Sequence, residues 1–169
     1  MSDEQQKNKY EKFVDFVIQK SNSDSGYRAA MKRADNPNTE SMAWQYLVRF
    51  CDIEKDWERM PYCLVGAAIA RNLPSRDGNL KLGEAFSSIC KDKDAKEREG
   101  KRLLRIIACD EIEEEVRALR PVLAYIASQG VSVCYSKLLE DLCRYDRQRV
   151  HLRWVEQFYG DYNKEEEKE

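Results

Sequence analysis

The chain has 169 residues, with 29 Lys and Arg against 31 Asp and Glu, so its formal net charge at pH 7 is −2. This length suits one ordinary domain or two very small ones, and it excludes a large cofactor-binding fold joined to a catalytic domain. Charged residues make up 36% of the chain, whereas Gly and Pro number only 7 and 4. That composition disfavours a turn-rich sandwich or barrel and favours long solvated helices.

The predicted helices follow one another almost without interruption, because apolar residues recur at helical spacing and no strand-like alternation persists. They cover about residues 4–20, 26–34, 39–50, 54–72, 80–90, 96–108, 111–127, 132–145 and 147–160, and Thr39 is the predicted N-cap of the third. Pro61 must either kink the fourth helix or mark a helix start. The sequence therefore predicts an all-α protein of about eight to nine helices.

Charge patterning suggests where the chain divides. Residues 91–95 contain no apolar side chain apart from an alanine, and we interpret them as a hinge between two helical bundles, residues 1–93 and residues 94–160. Residues 161–169 carry five acids and two lysines, and they are predicted to form an acidic, disordered tail.

Membrane and metal sites are not expected. No run approaches about 18 apolar residues, and the polar N-terminus lacks the apolar core of a signal peptide, so we expect a cytoplasmic protein. Six cysteines, at positions 51, 63, 90, 109, 134 and 143, contain no CxxC pair and are expected to be reduced, metal-free and used as small apolar side chains. The apolar arc of the last predicted helix carries Trp154 and Phe158, which we expect in the core. His151, the single histidine, falls on the same arc, which favours a core or partly buried role. No cofactor is expected.

Basic residues form three local clusters that the near-neutral total hides. In the helix at about 96–108, a helical wheel places four cations on one arc opposite the apolar residues: Arg98, Lys101, Arg102 and Arg105. A second cluster surrounds the start of the last helix: Arg144, Arg147, Arg149 and Arg153. A third lies near the start of the chain: Arg28, Lys32 and Arg33. Such cations suit phosphate oxygens, to which each arginine can donate two hydrogen bonds. Ordinary solvated or carboxylate-paired faces remain the alternative.

Two further features are weaker candidates. Arg120 stands beside Pro121 in a predicted helix, where it could point along a groove or pair with a carboxylate. The acid-rich segment Asp110–Glu115 suits the positive end of a helix dipole, and nothing fixes a metal-binding geometry there. Because the sequence also lacks a phosphate-cradling glycine loop and a nucleophile elbow, we predict no catalytic and no metal-binding residues.

Several short motifs occur together in a fixed order. From the N-terminus they are Gly26-x-Arg28-Ala29-x-Met31-Lys32-Arg33-Ala34; Leu82-Gly83-x-Ala85-Phe86; Glu97-Arg98 followed by Lys101-Arg102-Leu103-Leu104; Tyr135-x-x-Leu138-Leu139-x-Asp141-Leu142; and Val150-x-x-Arg153-Trp154-x-x-x-Phe158-Tyr159. In this order and spacing, over roughly residues 10–160, the chain resembles the CasB family, the small subunit of the type I-E CRISPR Cascade complex.

That resemblance implies an all-α fold of two small bundles joined end to end and a subunit that is not an enzyme. It also implies two copies packed head to tail in a crRNA-guided complex, beside the backbone and large subunits. There they would hold the crRNA–target duplex and the displaced DNA strand, while a separate nuclease-helicase cleaves the target. The family's basic positions fall on Lys32, Arg33, Lys101, Arg102, Arg120 and the Arg147/Arg149 region.

Two other hypotheses stay open on the sequence alone. One is a helical adaptor that binds another protein and no nucleic acid. The other is a helical enzyme that depends on a metal held by the segment Asp110–Glu115. The sequence pI of about 5.7 is lower than is usual in the CasB family, so we expect nucleic-acid contacts to form inside an assembled complex rather than with the isolated chain.

Overall fold

Helices account for most of the described chain. The computed structural model describes the backbone of residues 6–166 and the side chains of residues 6–160. In those residues the helices are α1 (Lys9–Ser23), α2 (Ser25–Met31), α3 (Ser41–Leu47), α4 (Asp56–Asn72), α5 (Leu82–Ser88), α6 (Lys93–Ile107), α7 (Ile112–Ser128), α8 (Tyr135–Cys143) and α9 (Arg147–Glu166). One isolated parallel bridge, between Leu80 and Val133, is the sole β-pairing there. The predicted all-α fold is confirmed.

Side-chain caps fix several helix starts. The Asn8 side chain accepts hydrogen bonds from two backbone N–H groups at the start of α1, and Glu11 completes a capping box. The Asp92 carboxylate accepts one from Ala95 N at 2.7 Å at the start of α6. The predicted Thr39 cap is wrong: Glu40 occupies the N-cap position of α3 without a side-chain cap, because the Thr39 hydroxyl donates to the Arg33 carbonyl oxygen at 2.9 Å instead.

The described chain divides into two compact units that differ from the predicted bundles. Unit 1 comprises residues 6–77 and 135–143, and unit 2 comprises residues 78–134 and 144–166. The expected boundary between residues 93 and 94 lies inside unit 2. The helix α8 belongs to unit 1, although the chain on both sides of it belongs to unit 2. Asp77 of unit 1 holds it there, since the Asp77 carboxylate accepts hydrogen bonds from Tyr135 N at 2.7 Å and Ser136 N at 3.2 Å. Asp77 thereby caps a helix about 58 residues further along the chain.

Unit 1 is organised around α4, which is buried along a continuous run from Pro61 to Ala70. A helix that is apolar on all sides is expected to occupy the centre of its bundle. The Phe13 ring of α1 meets the Tyr62 ring edge-on, with centroids 4.7 Å apart. A Cβ atom on Gly66 would lie 2.7 Å from Met31 Sδ, so the absence of a side chain lets α2 approach α4.

Unit 2 packs α5 closely against α9. A Cβ atom on Gly83 would lie 2.4 Å from the Trp154 carbonyl oxygen, and Gly83 N donates to Gln157 Oε1 at 3.1 Å. The Phe86 and Phe158 rings are 5.4 Å apart. Trp154 and Phe158 are fully buried, which confirms that this face of the last helix belongs to the core.

The chain ends differ from the sequence prediction in part. Residues 4 and 5 of the predicted first helix lie outside the described residues, and α1 begins at Lys9. The helix α9 continues to Glu166, because residues 163–166 include the good helix formers Lys and Glu and no Pro or Gly. The last three residues of the predicted tail, 167–169, lie outside the described residues. In the described part of the chain, no helix has the length and apolar character that a membrane span requires.

Candidate nucleic-acid interface

One face of α6 is buried and the opposite face is charged. Leu103 and Ile106 lie in the core of unit 2. The four cations predicted to share an arc do so, and their side chains line one surface groove of about 600 Å³ together with Asp94, Glu97, Glu99 and Tyr125. We call this feature the α6 groove. Its volume is within the range of sites that hold small molecules or nucleotides.

Acidic side chains hold part of this cationic surface in place. Glu99 is buried, and Arg98 Nε donates to its Oε1 at 3.2 Å. This hydrogen bond is the largest cause of the raised pKa of Arg98, to which Tyr125 also contributes. Lys101 Nζ lies 3.5 Å from a Glu97 oxygen, and both side chains are two-thirds exposed. The groove is therefore mixed in charge, with four cations facing three carboxylates.

The remaining cation of the groove has no such partner. Arg105 is exposed, and its guanidinium makes no hydrogen bond or ion pair within the described residues. Lys101 and Arg98 are also accessible, with side chains 66% and 64% exposed. Lys101 and Arg105 can therefore reach an approaching phosphate without first breaking a buried contact.

The basic cluster at the start of α9 is used differently. Arg147 Nη2 donates to Glu115 Oε1, to which His151 Nε2 also lies within 2.8 Å. Glu115 is buried, so the acid-rich segment Asp110–Glu115 supplies one carboxylate to the interior of unit 2. Arg147 is thus tied to the fold of unit 2. His151 is 14% exposed, as predicted from its apolar arc.

The rest of this cluster is accessible to differing degrees. Arg144 and Arg149 are exposed and Arg153 is half-buried. Arg120, on α7, is exposed as well. Within unit 2 these side chains add positive charge outside the α6 groove.

The basic cluster of unit 1 is partly structural. Arg28 Nε donates to the Ala70 carbonyl oxygen at 3.0 Å and so joins α2 to α4. Lys32 is half-buried, whereas Arg33 is exposed with Nη1 3.8 Å from Met42 Sδ. The structure therefore assigns these three cations to unit 1, and the cations of α6, α7 and α9 to unit 2.

Sequence reasoning missed three residues of these sites: Glu99, Glu115 and Tyr125. Each acid stands beside an apolar stripe, since Glu99 lies one helical turn before Leu103 and Glu115 immediately precedes Val116. Tyr125 carries no sequence signal that separates a groove-lining tyrosine from a core one.

Nothing in the described residues indicates a metal or a reactive thiol. No group of three or more His, Cys, Asp or Glu side chains there could hold a metal ion. All six cysteines are free, and burial raises the pKa of Cys51 to about 12. A thiol with so high a pKa is a poor nucleophile at neutral pH.

Several solved structures share the fold of this chain. No curated protein is significantly similar in sequence. Among solved structures, CasB from Thermus thermophilus has a TM-score of 0.72 at 23% identity over 89% of this chain and 97% of its own. CasB from M. ruber has a TM-score of 0.73 at 26% identity over 94% and 97% of the two chains. A chain of a CRISPR RNA-guided surveillance complex has a TM-score of 0.75 at 18% identity over 95% and 96%.

The sequence itself matches a family model over most of its length. The matched segment, residues 27–159, runs from α2 into α9 and so includes the α6 groove. The model is that of the CRISPR-associated protein Cse2. The resemblance identified from the sequence motifs is thereby confirmed, and the chain belongs to the Cse2 family.

Proposed function

We propose that this protein is a non-catalytic small subunit of a type I-E CRISPR RNA-guided surveillance complex. In that role it binds the phosphate backbone of the crRNA–target duplex and of the displaced DNA strand, and so stabilises the R-loop. Its partners are the backbone and large subunits of the complex and a second copy of itself packed head to tail. The family match over residues 27–159 and the fold shared with a chain of such a complex support this assignment.

The observation that carries the nucleic-acid part of the proposal is the α6 groove. Four cations line it, and Arg98, Lys101 and Arg105 are largely exposed. Because contacts of this kind go to phosphates, they do not depend on base sequence and they weaken as salt rises. The three carboxylates in the groove and the net charge of −2 reduce the affinity of the isolated chain. Other subunits that complete the groove would supply the missing attraction.

A titration of the reconstituted complex with target DNA across a salt series tests this role. We expect the double variant Lys101→Glu/Arg102→Glu to weaken binding and to lower the log–log salt slope by about 2, one unit for each phosphate that is no longer neutralised. The matched control is Lys12→Glu/Lys20→Glu on α1, which makes the same change in net charge outside the groove. Circular dichroism and incorporation into the complex should be unchanged in both variants.

Unchanged affinity and slope in the groove variant would show that the α6 groove is only a solvated face. The adaptor hypothesis would then be the better account, with the subunit acting through protein contacts alone. An equal loss of affinity in both variants would instead indicate a general effect of net charge.

A further inference from the structure

The floor of the α6 groove contains a carboxylate oxygen that is not satisfied. Glu99 Oε2 is buried and accepts no hydrogen bond within the described residues. Arg102 Nη1 stands 3.7 Å away, which is beyond hydrogen-bond distance. A buried acceptor without a hydrogen bond lowers the stability of the fold. A hydrogen-bond donor on a bound ligand would satisfy it and explain why it is kept.

The position of Glu99 is unexpected for a groove that holds only phosphates. A carboxylate repels a phosphate, and one at the floor opposes the attraction of the surrounding cations. Asp94 and Glu97 also line the groove, but Glu97 is two-thirds exposed, so its charge is screened by water. Glu99, with a side chain 6% exposed, is not. The groove suits a ligand that offers both negative charge and a hydrogen-bond donor.

Tyr125 supplies the other half of such a site. It lines the groove from α7 and is half-buried, and its hydroxyl interacts with Arg98. Proteins stack unpaired bases on aromatic rings and on guanidinium planes, and this groove offers both side by side. The volume of about 600 Å³ admits one nucleotide with its phosphates.

We propose, on the basis of the function proposed above, that the α6 groove binds one unpaired nucleotide of a single strand, whose base stacks on Tyr125 and donates its amino group to Glu99. The flanking phosphates lie on Arg98, Lys101 and Arg105. Arg102, whose Nη1 lies 3.7 Å from Glu99 Oε2 and whose side chain is one-third exposed, turns outward to a phosphate and leaves that carboxylate oxygen to the base.

This arrangement makes the groove selective among bases. Cytosine presents an N4 amino donor, which glutamate accepts. Thymine presents an N3–H between two carbonyl oxygens, and these face the carboxylate with like charge. The two bases are pyrimidines of similar size, so their difference isolates the contact with Glu99. One such hydrogen bond corresponds to about a fivefold difference in affinity.

Phosphate contacts strengthen as salt falls, so the proposal is tested at about 50 mM salt, at which the isolated chain can bind without the other subunits. The measurement is fluorescence anisotropy of the full chain with labelled oligo(dC) and oligo(dT) of about 15 nucleotides. We expect oligo(dC) to bind about fivefold more tightly. Glu99→Met removes the acceptor at similar side-chain length and should abolish the preference. Glu97→Met removes the same charge from the same groove and should preserve it, while raising affinity for both strands.

A second pair of variants covers the case in which Glu99→Met does not fold. Tyr125→Ala should weaken binding of both oligonucleotides about tenfold through loss of stacking, and Tyr125→Phe should retain it.

Equal affinity of the native chain for the two strands would overturn the inference while leaving the proposed function intact. A preference that survives Glu99→Met would overturn it as well. Failure of the full chain to bind either strand also rejects it, and the complex titration described above would still decide the proposed function independently.

Discussion

Arg59 and Arg71 join neighbouring segments of unit 1, whereas Arg98 and Arg105 of α6 in unit 2 face solvent. Arg59 Nε lies 2.6 Å from Glu40 Oε1 and the Arg59 side chain is 15% exposed. Arg71 pairs with the fully buried Asp35 carboxylate and donates to the Lys32 carbonyl oxygen at 3.1 Å. On α6, by contrast, Arg98 is 64% exposed. Arginine therefore joins segments within unit 1 and forms part of a solvent-facing surface on α6.

Arginines that join segments differ from arginines that face solvent in one respect: they have a buried acceptor on a neighbouring segment. Arg28 meets the Ala70 carbonyl oxygen of another helix, and Arg147 meets the buried Glu115, so both are fixed from the far side. Arg98, Lys101 and Arg102 find their acids on α6 itself, within one turn. Acceptors on the same helix leave the outer face of a guanidinium available to a ligand.

The largest effect we expect tests the core of unit 2. Trp154→Ala should lower the free energy of unfolding by about 3–5 kcal/mol, because the side chain is fully buried in unit 2. Trp57→Ala is the matched control, since that side chain is 53% exposed and its removal should cost less than about 1 kcal/mol. Urea denaturation of both variants measures the difference. Similar destabilisation of the two would contradict the assignment of Trp154 to the core.

An intermediate effect is expected for a structural arginine of unit 1. Arg71→Ala leaves the Asp35 carboxylate buried without its main countercharge, which should cost about 2–3 kcal/mol. The figure stands below the usual range for a buried pair because the Arg71 side chain is one-third exposed. The same denaturation experiment measures it, and DNA binding by the folded complex should not change. A destabilisation under about 0.5 kcal/mol would show that Arg71 has no structural role and resembles the solvent-facing cations of α6.

These two cases show what the sequence could and could not provide. Periodicity predicted the helices, and the apolar arc of the last helix identified Trp154 and Phe158, since both depend on local order along the chain. The wheel likewise placed the α6 cations correctly. Contacts between residues far apart in sequence could not be predicted from such local patterns. Nothing near Glu115 in sequence indicates its pairing with Arg147, and nothing near Asp77 indicates that it caps α8. The placement of α8 in unit 1 depends on such a pair as well.

The smallest expected effect on stability, with a distinct effect on binding, concerns Arg105. Arg105→Ala removes an exposed guanidinium with no partner in the described chain, so the free energy of unfolding should stay within about 0.5 kcal/mol. If the cation touches one phosphate, the log–log salt slope for target DNA should fall by about 1 in the assembled complex. Arg147→Ala is the control from the same unit: it should destabilise the protein, because buried Glu115 is deprived of a countercharge, and leave the slope unchanged. If Arg147→Ala lowers the slope and Arg105→Ala does not, the distinction between structural and solvent-facing arginines is wrong. The nucleic acid would then contact the α9 cations instead of those of α6.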